Sequence, residues 1–292
     1  MSELSIILLG AGTIGASWAA LFLSYKTKVM IYDPSREALT KVKPNIEHAW
    51  QSLNTLDPTL KDIPWSKLTL HQNLASITSV PDWVQENAPD RLELKQSLLQ
   101  QAELYFPPDV PIASSTTALM ATDIQAAMTF PERFIIAHPF NPPHLIPLVE
   151  VVAGKKTSPY LTERAKIFYE GFGKEVVIPK REAIGHIANR LNAALYREVV
   201  NMVAKGIASV EDIDRSIVHG PGLRWAFIGP NLVYHLAGGD GGYSQYLDHL
   251  GPSQEKRWEN LDEVSLTAEV KEKLVEGLQE AVRNSSIEIL RE

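Results

Sequence analysis

The chain contains no cysteine. Disulfides, thiolate nucleophiles and thiolate-bound zinc are thereby excluded, and the composition suits a reducing compartment. Nor is there an excess of basic residues: 28 Lys and Arg stand against 35 Asp and Glu, a formal charge of -7. Nucleic acid is therefore not expected as the main partner, although net charge says nothing of a local basic patch. No stretch approaches the ~18 consecutive apolar residues that cross a membrane. Met1-Ser2-Glu3-Leu4 lacks the basic-then-apolar opening of a secretory signal. Histidines are scattered and no His-Glu-x-x-His spacing occurs, so no catalytic metal is expected. Repeats and low-complexity tracts are missing too. These absences lead to the expectation of a soluble, cytoplasmic protein.

What is present is ordinary globular sequence. Its 292 residues correspond to two domains at about 150 residues each. With 45% hydrophobic and 22% charged residues it is too apolar for a disordered chain.

Leu4 to Leu9 is an apolar run stopped by glycine, which suits a strand covered on both faces. Gly10-Ala11-Gly12-Thr13-Ile14-Gly15 follows, then an alanine-rich helical segment from Ala16 to Ser24. Lys28 to Tyr32 reads as a second strand closed by Asp33. Together these form one right-handed βαβ unit. Ser35 to Leu53 reads as helix, interrupted or kinked at Pro44; Pro58 and Pro64 mark a turn region. Trp83 to Glu86 reads as the end of a further strand, and Arg91 to Leu104 as its following helix. Ile112 to Ser114, Phe134 to Ala137 and Val176 to Ile178 are further candidates for buried strands. From Ile187 onward, helical spacing dominates. The expected fold class is α/β, with a nucleotide-binding α/β domain over residues 1–183 and an all-helical domain over residues 184–292. The glycine clusters at Gly220-Pro221-Gly222 and 238–242 read either as loops near a site or as simple helix ends.

The first turn carries a dinucleotide signature. Gly10 allows a tight turn, Gly12 a close approach of the backbone to a pyrophosphate, and Gly15 close helix-strand packing. Thr13 and Ile14 open the helix whose amides and dipole face the phosphates. The glycine spacing alone is weak evidence, but a strand precedes it, a helix follows it and an acid closes the next strand. Asp33 is placed to accept from both ribose hydroxyls and to repel a 2′-phosphate, which favours NAD over NADP. A nearby arginine, Arg36, argues the other way, and a solvated turn acid is the plain alternative for Asp33.

His138 stands at the carboxyl end of an apolar run, over the crevice of an open α/β sheet, and can exchange a proton near neutrality. A lone histidine there is more often structural. Glu150 lies within another apolar run, Leu148 to Val152, where a carboxylate is costly unless paired. Pairing it with His138 would meet that cost, fix the imidazole tautomer and stabilise an imidazolium.

These segments, with Ser114-Ser115-Thr116-Thr117-Ala118-Leu119, His138-Pro139-Phe140-Asn141-Pro142, Leu148-Val149-Glu150-Val151 and Gly185-His186-Ile187-Ala188-Asn189-Arg190-Leu191, form an ordered set. In that order they resemble the L-3-hydroxyacyl-CoA dehydrogenase family over nearly the whole chain. The resemblance implies a Rossmann-type NAD-binding domain, a helical substrate and dimerisation domain, and a homodimer. It implies His138 and Glu150 as the catalytic pair, with Asn189 and Thr117 orienting the substrate oxygen. Thr117 stands where serine is usual, keeping the hydroxyl but adding a methyl group that narrows the pocket. His186 stands where phenylalanine is usual, read here as entering the active site or capping a helix, with capping slightly favoured. Glu86 joins Gly10, Gly12, Thr13, Ile14, Gly15 and Asp33 in the implied cofactor set; Asn141 and Arg224 join Thr117 and Asn189 as implied substrate contacts.

Residues 220–230 and 84–89 resemble the branch containing carnitine dehydrogenase, L-gulonate 3-dehydrogenase and lambda-crystallin. That branch implies a free small L-3-hydroxy acid as substrate, and Arg224 answering its carboxylate from a neighbouring subunit. A carnitine-like trimethylammonium group would want rings, which Trp225, Tyr243 and Tyr246 could supply. A CoA handle would want clustered basic groups. Lys41, Lys43, Lys61 and Lys67 are dispersed, which weakens the acyl-CoA alternative. A third alternative is an NAD-binding structural protein with little turnover.

Overall fold

A computed structural model describes residues 4–291. Met1 to Glu3, most of the opening read above for a secretory signal, lie outside the described residues. The chain divides into two compact units, one ending at Arg190 and the other beginning at Leu191.

The first unit runs β1 (Ser5–Leu9), α1 (Thr13–Ser24), β2 (Lys28–Tyr32), α2 (Arg36–Leu56), β3 (Leu68–His71) and β4 (Trp83–Glu86). It continues with α3 (Leu92–Glu103), β5 (Ile112–Ser114), α4 (Ala121–Gln125), β6 (Phe134–Pro139), β7 (Leu148–Val152), α5 (Pro159–Glu170) and β8 (Glu175–Val177). The strands form one sheet ordered β3-β2-β1-β4-β5-β6-β7-β8. Every neighbouring pair is parallel except β6 and β7. Chain order reverses between β1 and β4, so a crevice opens there beyond the carboxyl ends of the strands.

The continuous apolar run of β1 has a direct cause. Successive side chains point to opposite faces of a strand. Ile6 and Leu8 pack with Trp18 of α1, Val42 of α2 and Ala165 of α5. Ile7 and Leu9 pack on the other face with Leu99 of α3 and Ile124 of α4. Both faces are covered, so no polar alternation survives.

Two expectations need revision, and one edge strand was missed. Helix α2 runs unbroken through Pro44, because Val42, Ile46, Ala49, Trp50 and Leu53 bury one long face that outweighs a single missing donor. The strand expected at Val176 to Ile178 is β8, one residue earlier, and it is not buried: Glu175 and Val177 are exposed at the end of the sheet. The opposite edge, β3, was not foreseen, since its exposed Thr69 and Leu70 leave little hydrophobic pattern to read.

In the second unit, α6 (Ala188–Ala204) continues from the first. It is followed by α7 (Val210–His219), α8 (Pro221–Trp225), α9 (Pro230–Ala237), α10 (Gly242–Trp258), α11 (Ala268–Ala281) and α12 (Ile287–Arg291). Val199 and Val203 of α6 pack on Ile213 of α7 and Leu274 of α11. A β-carbon at Gly277 would come within 2.7 Å of Val210, so this glycine allows α11 its close approach to α7. Gly220 lies between α7 and α8, and the glycines from Gly238 separate α9 from α10; these clusters are helix ends. Among the described residues no helix is long and apolar enough to cross a membrane.

Candidate active site

The turn after β1 is shaped by its glycines. Gly10 has φ +110°, and a β-carbon there would meet the Asn87 backbone at 2.9 Å. A β-carbon on Gly15 would lie 2.1 Å from the Gly10 carbonyl oxygen, so α1 sits against the turn only because that position is bare. Gly12 faces open space and is the N-cap of α1, with no side chain capping the helix. First-turn amides are thus left for an anionic ligand. Gly10, Gly12, Thr13 and Ile14 border a cavity of about 660 Å³, as do Asp33 and Thr117. Asp33 accepts the Ala11 amide at 2.8 Å on one oxygen and the Ser35 amide at 2.8 Å on the other. Each oxygen keeps a further lone pair. Arg36 is not among the residues bordering the cavity. Glycine cradle, uncapped helix and wall acid together fit a dinucleotide.

Glu86 departs from expectation. Its carboxylate is fully buried and does not border the cavity. Both oxygens meet Lys95 Nζ at 2.9 Å, and they also accept from Ser114 Oγ and the Ala88 amide. Lys95 donates in turn to the Ala88 carbonyl at 2.8 Å. Glu86 therefore braces the turn beneath the cavity. A buried carboxylate needs an ion-pair partner, and Lys95, nine residues on, comes round on α3 to supply it. Asn87 and Ser115, just beyond β4 and β5, do border the cavity, and Ser115 Oγ donates to Asn87 Oδ1 at 2.7 Å. Sequence reading gave neither a role. The available signal was their place at the carboxyl ends of adjacent parallel strands.

The second part of the site arises from the one antiparallel step in the sheet. His138 on β6 is directly opposed to Glu150 on β7. Opposed residues of an antiparallel pair project to the same face with their β-carbons about 5 Å apart. His138 Nδ1 lies 3.0 Å from Glu150 Oε2, with His138 4% and Glu150 1% exposed. The other oxygen, Oε1, accepts the amides of Ile187 at 2.7 Å and Ala188 at 3.0 Å, at the start of α6. Burial disfavours the charged carboxylate, but the bond to His138 and the two amides outweigh it and hold its pKa below the ordinary range. An ionised Glu150 only accepts, so the imidazole proton sits on Nδ1 and Nε2 keeps a free lone pair.

Asn189 is half-buried, one residue beyond the Ala188 amide that Glu150 holds. The Thr117 amide donates to Asp90 Oδ2 at 3.0 Å. Asn141 is exposed on the turn after β6, in a cis peptide to Pro142. Arg224 is exposed on α8, without an ion pair among the described residues. Tyr246 is stacked with Tyr234, ring centres 4.5 Å apart, and with Tyr243 at 6.2 Å; Tyr243 and Trp225 are exposed. The capping role favoured for His186 is corrected. Gly185 and His186 both take positive φ and turn the imidazole inward, where its ring centre lies 5.0 Å from that of His138.

The sheet, its switch point and the glycine cradle define a dinucleotide-binding α/β protein, and the family match makes it an NAD-dependent dehydrogenase. The chain belongs to the 3-hydroxyacyl-CoA dehydrogenase family: residues 5–182 match that family's NAD binding domain and residues 185–280 its C-terminal domain. It is 44% identical over 278 residues to the L-carnitine dehydrogenase of Streptomyces coelicolor, covering 95% of this chain and 87% of the relative. To the L-carnitine dehydrogenase of Nocardiopsis dassonvillei it is 41% identical over 282 residues, covering 97% and 85%. Among solved structures it resembles 5-formyl-3-hydroxy-2-methylpyridine 4-carboxylic acid 5-dehydrogenase, an NAD+ dependent dismutase. The TM-score is 0.80 with 28% identity, over 91% of this chain and 84% of that one.

Proposed function

We propose that the chain oxidises L-carnitine, or an L-3-hydroxy acid close to it, reversibly to the 3-keto acid. The hydrogen-bonded pair His138–Glu150 carries the chemical reading. When bound, NAD supplies the hydride acceptor for C3. Nε2 of His138, bare in this tautomer, takes the hydroxyl proton, and Glu150 stabilises the imidazolium that results. Asn189 and Thr117 hold the reacting oxygen. In the reverse direction His138 returns the proton.

Similarity to the L-carnitine dehydrogenases supports the choice of acid. The state of the lysines before β3 supports a free acid over a CoA thioester. Lys41 is paired with Glu37 at 2.6 Å and Lys43 lies over the Trp65 ring at 5.3 Å, so these two already have partners other than a phosphate-bearing handle. We also take residues 1–183 as the NAD-binding domain and residues 184–292 as the substrate and dimerisation domain of a cytoplasmic homodimer. In it, Arg224 would answer the substrate carboxylate across the subunit boundary.

The test follows NADH formation with L-carnitine, L-gulonate, L-3-hydroxybutyrate and L-3-hydroxybutyryl-CoA, with NADP as cofactor control. L-Carnitine with NAD is expected to give the highest kcat/KM. Strong preference for the thioester would overturn the free-acid reading, and NADH binding without turnover of any substrate would overturn the enzymatic one.

A further inference from the structure

His186 carries two local costs at one position. Its φ of +52° lies in the left-handed region, which is strained for an L residue. Its side chain is also buried, 4% exposed, with Nδ1 lacking a hydrogen-bond partner among the described residues. A buried polar atom left unpaired keeps its desolvation cost uncompensated. The tautomer is fixed by the other nitrogen: Nε2 lies 3.2 Å from the Thr116 carbonyl, which can only accept, so the proton is on Nε2. Burial and the neighbouring His138 push the His186 pKa down; the Thr116 bond, Glu150 and Asp90 push it up, and burial prevails. The ring is neutral, and Nδ1 is a bare acceptor in the surroundings of the catalytic base.

We infer that His186 is a specificity-determining residue that favours substrates bearing a cationic group next to the carbinol carbon. This rests on the reading of His138 as the base and L-carnitine as the substrate. An alcohol that gives its proton to His138 brings the atoms two bonds from C3 within a few ångströms of that ring, where the centre of His186 lies 5.0 Å away. In carnitine one such atom is the ammonium nitrogen and the other the carboxylate carbon. A lone pair with no proton to give repels a carboxylate and attracts the positively charged methyl groups of a trimethylammonium. An acyl-CoA offers an alkyl chain on one side and a thioester carbonyl on the other, and neither satisfies a bare acceptor. Phenylalanine, expected at this position from the family resemblance, has no such lone pair.

The test compares kcat/KM for L-carnitine with that for L-3-hydroxybutyrate, which shares C3 and the carboxylate but lacks the ammonium. His186→Leu removes the acceptor, and His186→Asn keeps an amide oxygen. The carnitine-to-hydroxybutyrate ratio is expected to fall about tenfold in H186L and largely to return in H186N. NADH affinity should stay unchanged in both, which shows the fold and cofactor site are intact. In the unaltered protein the ratio should fall with falling pH as His186 gains a proton and repels the ammonium. Any effect of pH on the proton-transfer step itself acts on both substrates and cancels in the ratio. If H186L does not fold, this pH dependence and H186N decide. Carnitine turnover with a ratio unmoved by substitution or pH would overturn the inference and leave the proposed function standing. No turnover of L-carnitine by the unaltered protein would overturn both.

Discussion

Both oxygens of Glu150 are engaged, one by His138 and the other by two amides, so the carboxylate has little freedom to turn. The imidazole is held with its Nε2 bare, and the proposed proton transfer depends on that one atom. His138→Gln should therefore lower kcat by about 10²–10⁴ while leaving NADH affinity near its parental value. Steady-state rates and an NADH fluorescence titration check this, and near-parental turnover would remove His138 from catalysis. A second residue gives a stability signature. Burial pushes His144 down to about 4 from 6.5, where it shares a 2.8 Å hydrogen bond with Ser17. The folded state then resists a proton that the unfolded chain accepts. Stability on this account is full above about 6.5 and is lost as the pH falls towards 4. Urea titrations at pH 7 and pH 5 should show the loss, reduced in His144→Gln. At this scale the sequence was readable where burial contradicts residue type: Glu150 inside an apolar run had to be paired. It was silent where conformation decides. Nothing in the spacing shows that His186 takes positive φ and turns inward, or that Glu86 is claimed by Lys95.

Elements were legible in proportion to their burial. β1 and β6 are covered on both faces and read as unbroken apolar runs; β3 and β8, at the two edges, carry exposed residues and read poorly. The glycine turn was legible for a related reason, since each glycine answers a separate steric demand. Those demands can be tested apart. A methyl group at Gly15 collides with the Gly10 carbonyl, whereas one at Gly12 meets nothing within 4 Å. Gly15→Ala should destabilise the fold by about 1–3 kcal/mol and weaken NADH binding together. Gly12→Ala should leave stability nearly unchanged and weaken NADH binding alone, because its methyl group would stand only in the open space proposed for the phosphates. Denaturant titration beside NADH titration separates the two. Equal destabilisation by both would contradict the division of roles.

At the scale of the whole molecule, the second unit leaves large apolar side chains uncovered. Phe227 is 83% exposed, and Leu223 and Trp225 lie nearby in sequence, also exposed. Exposed apolar side chains are what the proposed homodimer would cover. Sedimentation should give twice the chain mass, and Phe227→Asp should shift the equilibrium towards the single chain. A single-chain mass for the unaltered protein at micromolar concentration would remove the proposed homodimer. Sequence periodicity indicated that these helices form but not which of their faces remain uncovered, because covering a face between subunits leaves the same pattern as covering it within one.

The opposition of His138 and Glu150 in the ladder has a consequence for how this protein could change. Their alignment depends on the register of β6 against β7 and on the segment 140–147 that joins the two strands. A slip of one residue in either strand would turn one member of the pair to the opposite face of the sheet and end the proposed proton transfer. The joining segment is itself tied down, through His144 to Ser17 and through the Pro143 and Ile146 carbonyls to Lys174. A change in its length would strain those ties and the register together, so variation that keeps the pair aligned is expected in the side chains of this segment and not in its length.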